Sequence, residues 1–316
     1  MHGGTMPRQG CRANAALNVL NAGPAFVSST PPDAAALVQR LQSSVLALTS
    51  EFLSEDGSRV DYAAARRSDT FAAFLEQSRE LQAVEVESLG DEVTRRCVFI
   101  NLYNVLTVQG LLAAGPDLPT SPQLVRDFWN TTACRFGSRT LTLNDIEHGI
   151  LRGNGIQPAS RTPHWHHTDE RASLALPLDP RIHFALNCGA KSCPPIRVFT
   201  PANLEFGLAA AAANFLESET EVMPDGTVLL SSLLNWYGAD FGHTQREVLS
   251  AVAHMLPSTS AKRAALEKVL QDCRDAPPGV GALIWNGVVA KVLPAFMPRG
   301  PVRVQFKPYD WTVNST

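Results

Sequence analysis

The 316-residue chain has no long run of like charge, and 27 Lys and Arg against 30 Asp and Glu leave a formal net charge of −3. That balance gives no support to a dominant role on nucleic acid or on an anionic membrane. An uninterrupted membrane-length apolar run is missing too. The longest apolar stretch, Cys97 to Gly115, is broken by Asn101, Asn104 and Gln109 and preceded by Arg95 and Arg96, as suits a buried core helix. There is no internal repeat, no low-complexity tract, no glycine-rich phosphate loop and no secretory pattern of charge followed by an apolar block.

Cysteine is sparse and scattered: Cys11, Cys97, Cys134, Cys188, Cys193 and Cys273. Without a secretory signal this is how thiols are distributed in a reducing compartment, so the expected location is cytoplasmic. Four residues separate Cys188 from Cys193, whereas the common redox dithiol has two, and no second cysteine pair completes a zinc site. Neither a metal nor a cofactor is expected.

What is present is a normal core, with 45% hydrophobic and 18% charged residues. Residues 1–32 contain no acid and two arginines, Arg8 and Arg12, too few for a transit peptide. They read as a disordered leader ending at Ser28-Ser29-Thr30-Pro31-Pro32, ahead of a single globular domain over 33–316. Asp33 opens a helical pattern with Leu37, Leu41, Val45 and Leu48 at spacings of three and four. Further helices are predicted within Asp69–Val84 and from about Asp91 to Ala114, ended by Gly115-Pro116.

Phe128–Arg135 and Thr140–Leu143 read as strands joined around Gly137-Ser138. Asn144 is placed to cap a short helix, Asp145–Leu151. Gly153–Pro177 is loop-like and carries His164-Trp165-His166-His167, which read as surface residues. A strand is predicted over Arg181–Cys188. Thr200-Pro201 reads as the start of an alanine-rich helix, Asn203–Leu216. A short strand near Val228–Leu230, helices at Gln245–Met255 and Ala261–Asp272, and a strand Val302–Phe306 follow. The expected class is α+β, predominantly helical, with a small antiparallel sheet.

Chemistry-bearing residues concentrate in Asp179-Pro-Arg-Ile-His-Phe-Ala-Leu-Asn-Cys-Gly-Ala-Lys-Ser-Cys-Pro-Pro195. On a strand, Ile182, Phe184, Leu186 and Cys188 share an apolar face, while His183, Ala185 and Asn187 share the other. That register turns Cys188 inward and leaves Cys193 on a polar loop, where Lys191 or a histidinium can lower its pKa. Nucleophilic cysteine chemistry needs a thiolate, an imidazole and a group that orients the imidazole. Cys193, His183 and Asn187 supply these types, with His148 as reserve base and Glu147 or Asp145 as its orienting acid. The N–H groups from Gly189 to Ser192 would meet the oxyanion, and Cys188, Gly189, Ser192, Asn101 and Asn104 would line the substrate site. On the blander reading, His183 is a hydrogen-bonded structural histidine, and Asn101 and Asn104 are buried amides that anchor neighbouring loops.

Five blocks occur in order: Phe99-Ile-Asn-Leu-Tyr-Asn-Val-Leu-Thr107, Leu143-Asn-Asp-Ile-Glu-His-Gly-Ile-Leu-Arg152, Asp179–Pro195, Trp236-Tyr-Gly-Ala-Asp-Phe241 and Tyr309-Asp-Trp-Thr-Val-Asn314. Together they resemble the family catalogued as domain of unknown function 547, over roughly residues 60–314. The resemblance implies a fold and no settled activity. Trp236, Tyr237, Tyr309 and Trp311 read as structural anchors, with the C-terminus folding back on the core. Two functions are therefore expected to compete. One is a cysteine-dependent hydrolase or acyl transferase acting on an amide or thioester in a small molecule or peptide. The other is a non-catalytic domain that binds a protein partner.

Overall fold

Short acidic and hydroxyl side chains set where the helices begin. The computed structural model describes residues 16–55, 59–114, 120–124, 127–158, 160, 162–272 and 302–313. Asp33 accepts the Ala36 N–H and opens α1 (Ala34–Glu51); Asp61 and Ser68 do the same for α2 (Tyr62–Arg66) and α3 (Asp69–Ser78). Asp91 accepts the Thr94 N–H at 2.8 Å and opens α4 (Glu92–Ala113).

The described residues form two compact units, one covering 16–208 with 310–313 and the other 209–272 with 302–309. In the larger unit, α4 is long and apolar enough to cross a membrane by length and composition, yet it is buried from Arg96 to Leu112 within the fold. The buried stripe of α1 (Leu37, Val38, Leu41, Val45 and Leu48) packs on it. Each such side chain contributes about 1.5–3 kcal/mol through removal from water. The polar members of α4 (Asn101, Tyr103, Asn104, Thr107 and Gln109) are buried as well. Buried polar groups need partners, and three of these residues find theirs in the segments that build the site.

One sheet of the larger unit joins β1 (Asn18–Val19), β2 (Thr132–Phe136) and β3 (Arg139–Thr142). β2 and β3 form the expected antiparallel hairpin, pairing Ala133 with Thr142 and Phe136 with Arg139. Gly137, at φ +58°, makes the turn. β1 pairs parallel to β2, so the sheet is mixed where an antiparallel one was expected. The same pairing takes Asn18–Asn21 out of the expected leader: Asn21 is buried, donates to Ser78 O and Arg135 O, and accepts the Arg135 N–H at 2.8 Å. The rest of that leader up to residue 15 lies outside the described residues. The strand expected from Phe128 starts only at Thr132, because Phe128–Thr131 is a single helical turn, α5.

α6 (Leu204–Glu219) begins later than Thr200-Pro201 suggests. Asn203 folds back to accept the Thr200 N–H at 2.8 Å, and helical geometry starts one residue on. The smaller unit contains β4 (Glu221–Val222), β5 (Val228–Ser231), α7 (Ser232–Trp236), α8 (Gln245–Met255), α9 (Ala261–Asp272) and β6 (Val304–Lys307). Thr244 and Glu247 close a reciprocal capping box on α8. β5 pairs antiparallel to β4 and parallel to β6, giving a second small mixed sheet. Trp236 and Tyr309 pack at 4.9 Å between ring centroids. The class is α+β and mainly helical.

Candidate functional site

Proline and aspartate decide the conformation at 179–184. Asp179 accepts the Arg181 N–H at 3.0 Å, and Pro180, which has no N–H to satisfy, occupies the first helical position. Pro180–Phe184 is consequently a 3₁₀ turn, and the chain from Ala185 onwards is irregular, in place of the strand expected over Arg181–Cys188. Ile182, His183, Phe184 and Ala185 are all buried, so no polar face alternates with an apolar one. The register that turned Cys188 inward and freed Cys193 does not exist. Both cysteines are half-buried, and their sulfurs lie 2.6 Å apart.

Side-chain amides shape the loop that brings them together. Asn104 of α4 donates to Ala185 O at 3.0 Å and accepts the Asn187 N–H at 2.8 Å, pinning the loop entrance. Asn187 in turn donates to Pro194 O and accepts the Gly189 N–H, both at 2.8 Å. Both of these bonds go to the backbone of the loop, and neither partner is the imidazole that the sequence reading assigned to Asn187. Gly189 sits at φ +87°, and a Cβ there would come within 2.8 Å of Leu111. Cys193 Sγ accepts the Cys188 N–H at 3.2 Å.

The far side of the loop is braced by the chain's last described residues. Lys191 N–H donates to Thr312 O and Ser192 N–H to Asp310 O, while Ser192 Oγ accepts the Asp310 N–H. Trp311 packs edge-on against Trp129 at 5.9 Å. The N–H groups of Gly189, Lys191, Ser192 and Cys193 are all committed within the fold, the last to Ala190 O. The expected oxyanion site on this loop is therefore not available from those four donors.

A second polar group is built on Asp145–Leu151, which is wound as a π-helix, with Arg152 N–H bonded to Glu147 O and Asn154 N–H to Gly149 O. Asn144 does not cap it; Asp145 instead accepts the Thr142 N–H at 2.9 Å. The Asp145 carboxylate also accepts His164 Nε2–H at 2.9 Å and Trp165 Nε1–H at 2.8 Å, and Arg171 lies 3.2 Å away. Burial opposes its ionisation, but the bonds from His164 and Thr142 and the charge of Arg171 outweigh that, holding the carboxyl below its usual range. Asp145 thus fixes His164, not His148. His164 and Trp165 are packed into the fold and not surface residues, while His166 and His167 are exposed. Gly149 makes room for Trp165, since a Cβ there would strike its ring.

Glu147 is the acid beside His148, 3.8 Å from its Nδ1, and Tyr103 of α4 donates its hydroxyl to Glu147 at 3.0 Å. Arg152 Nη1 donates to His148 Nδ1 at 2.9 Å, which places the ring proton of neutral His148 on Nε2. Burial pushes the His148 pKa down to about 3; Glu147 opposes the shift, and Arg152, His164 and His183 add to it. Asn101 grips Phe199 by both backbone groups, at 2.7 and 3.0 Å. Asn101 and Asn104 are anchors here, with both ends of each amide bonded to backbone.

Tyr103, Arg152, His164, Trp165 and Arg171 are parts of this assembly that the sequence did not single out. A phenol in the most apolar helix was a usable signal, since its hydroxyl must find a partner. The other four depend on contacts no local pattern encodes. Among the described residues, no group of three or more His, Cys, Asp and Glu is arranged to hold a metal ion. The chain matches no curated protein and no solved structure. Over residues 86–216, which hold α4, the π-helix and the thiol loop, the chain is similar to the family described as Protein of unknown function, DUF547.

Proposed function

We propose that the protein is a cysteine-dependent enzyme that cleaves or transfers an acyl group held as an amide or thioester, with Cys193 as its nucleophile. The observation that carries this reading is the setting of the Cys193 sulfur. It is half-exposed, accepts the Cys188 N–H at 3.2 Å, and touches the Cys188 thiol at 2.6 Å. A backbone N–H aimed at a sulfur is one of the donors that stabilise a thiolate, the form that attacks.

In this scheme the Cys193 sulfur bonds to the carbonyl carbon, and the amine or thiol leaves with a proton handed on by an imidazole. His183 takes that role, because His148 is held neutral with Nδ1 occupied by Arg152. Glu147, Tyr103 and Arg152 act as a fixed polar surround. Water or an acceptor nucleophile then releases the acyl group. Oxyanion stabilisation falls to donors other than the committed loop amides.

The chain supplies its own controls. Burial raises Cys97 to about 11, with the Asp91 charge adding, and Cys134 to about 12, with Asp145 adding. In native protein at pH 7.5, iodoacetamide should modify Cys193 at least about 100-fold faster than Cys97 or Cys134, as their thiolate fractions dictate. Equal sluggishness of the three thiols would remove the nucleophile and the proposal with it. A thioester and amide panel should then show turnover lost in Cys193→Ala and His183→Ala variants that still fold.

One observation favours the second reading, a non-catalytic domain that binds a protein partner: the amides of Asn101, Asn104 and Asn187 are all engaged in holding backbone. Retention of a partner by both alanine variants, with no turnover in the parent protein, would select it.

A further inference from the structure

We infer that Cys188 and Cys193 are a dithiol–disulfide redox couple, a site of reversible oxidation by low-molecular-weight disulfides. Their spacing of four intervening residues hides this in the sequence, because the familiar redox dithiol has two. The structure removes the obstacle. The two thiols are in contact at 2.6 Å, on a loop whose ends are already drawn together.

Three independent restraints keep them so. Asn187 spans the pair, bonding Gly189 N–H just after Cys188 and Pro194 O just after Cys193. Asn104 fixes the chain immediately before Cys188, at Ala185 and Asn187. Asp310 and Thr312 hold Lys191 and Ser192, immediately before Cys193. A bond between the sulfurs therefore closes a small ring in backbone that is already folded for it, with the left-handed Gly189 absorbing the turn.

Access separates this pair from the other described cysteines. Cys97 and Cys134 are buried, whereas both sulfurs of the couple belong to half-exposed residues. The Cys188 N–H directed at Cys193 Sγ makes Cys193 the attacking sulfur. Cys193 loses its proton to solvent and attacks the disulfide RSSR, forming Cys193–S–SR and releasing RS⁻. Cys188, deprotonated in turn, attacks the Cys193 sulfur and releases the second RS⁻. Both thiolates take up the protons given to solvent, so one RSSR is reduced to two RSH and the pair is oxidised to one disulfide. The inference stands on the sulfur contact and the loop restraints. Where the acyl-transfer reading also holds, oxidation consumes the nucleophile and turns that activity off.

The test is a peptide map after equilibration of the full chain in buffers of reduced and oxidised glutathione, quenched by acid and alkylated after unfolding. The expected result is loss of both alkylation sites at Cys188 and Cys193, with the two joined to each other, reversed by dithiothreitol. Cys97 and Cys134 should remain alkylated, and the map separates all four from Cys11 and Cys273. In Cys188→Ser, Cys193 should instead retain one glutathione, because no second thiol is there to expel it. The inference is overturned if the wild-type pair stays reduced in oxidised glutathione alone, or if wild-type Cys193 keeps glutathione as the variant does. If Cys188→Ser fails to fold, the wild-type map decides by itself. Because mass is the readout, a pair that links on oxidation while the reduced protein shows no turnover would sink only the acyl-transfer reading, and turnover by the reduced protein without a linked pair would sink only this one.

Discussion

Two consecutive residues of α4 hold two different kinds of polar structure. Tyr103 reaches the π-helix through Glu147, and Asn104 reaches the thiol loop through Ala185 and Asn187. The first is dry and heavily charged: Asp145, Glu147, His148 and Arg152 are all buried, and the Asp145 carboxylate alone meets four donors. The second is half-open, is held by neutral amides, and carries two sulfurs. The contrast separates two tasks. A buried ion network sets a fixed field and a fixed shape, because moving any member strands another. Reagent access is left to the loop, whose backbone the same helix restrains.

The largest effect should come from breaking the dry side. Asp145→Ala leaves His164 Nε2–H, Trp165 Nε1–H, the Thr142 N–H and Arg171 without their shared acceptor. It should cost about 3–5 kcal/mol in urea unfolding, as loss of one member of a buried charged group does. A loss below about 1 kcal/mol would mean water already replaces the carboxylate.

On the open side, Asn104→Ala removes one acceptor and one donor at the loop entrance and should cost about 2 kcal/mol. Its sharper signature lies elsewhere: the selective alkylation of Cys193 should fall toward that of Cys97, since the loop no longer fixes its sulfur. Unchanged selectivity would show that Asn187 and the C-terminal brace suffice without α4.

The mildest test is a pH profile. His148 has its folded pKa depressed to about 3, so between that value and about 6.5 the unfolded chain binds a proton that the folded chain refuses. The stability it contributes is fully present above about pH 6.5 and is lost as pH falls toward 3. Asp145, also depressed, adds a further loss at the acid end of the window. His148→Gln should flatten the fall in Tm between pH 6.5 and 4.5 relative to the parent, although both proteins lose stability below that. Parallel curves would place the ring in contact with water.

Much of the helical frame was readable because its signals are local. Asp33, Asp91 and Thr244 stand where helix starts were placed, and Gly137-Ser138 turns the hairpin. The segment around His183 misled for a physical reason. Ile182, Phe184 and Leu186 alternate with His183 and Ala185 as a strand would, yet nearly everything there is buried, so alternation carried no information about faces. Asp179-Pro180, a cap followed by proline, was the better guide to a helical turn at that point. The contact of Cys188 with Cys193 was illegible for another reason. It depends on Asn104 and on Asp310 to Thr312, roughly 80 and 120 positions away in the chain, and on an irregular loop with no period to read. His164 belongs with it, since only the folded chain brings it to Asp145.

The bonds from Asp310 and Thr312 to Ser192 and Lys191 also carry a consequence for biosynthesis. A ribosome makes the two sulfurs first, and the strap that completes their loop follows 118 positions after Ser192. Until residue 312 has been made the pair lacks its final clamp, and a nascent chain arrested before residue 310 should expose both thiols to alkylation as two independent groups.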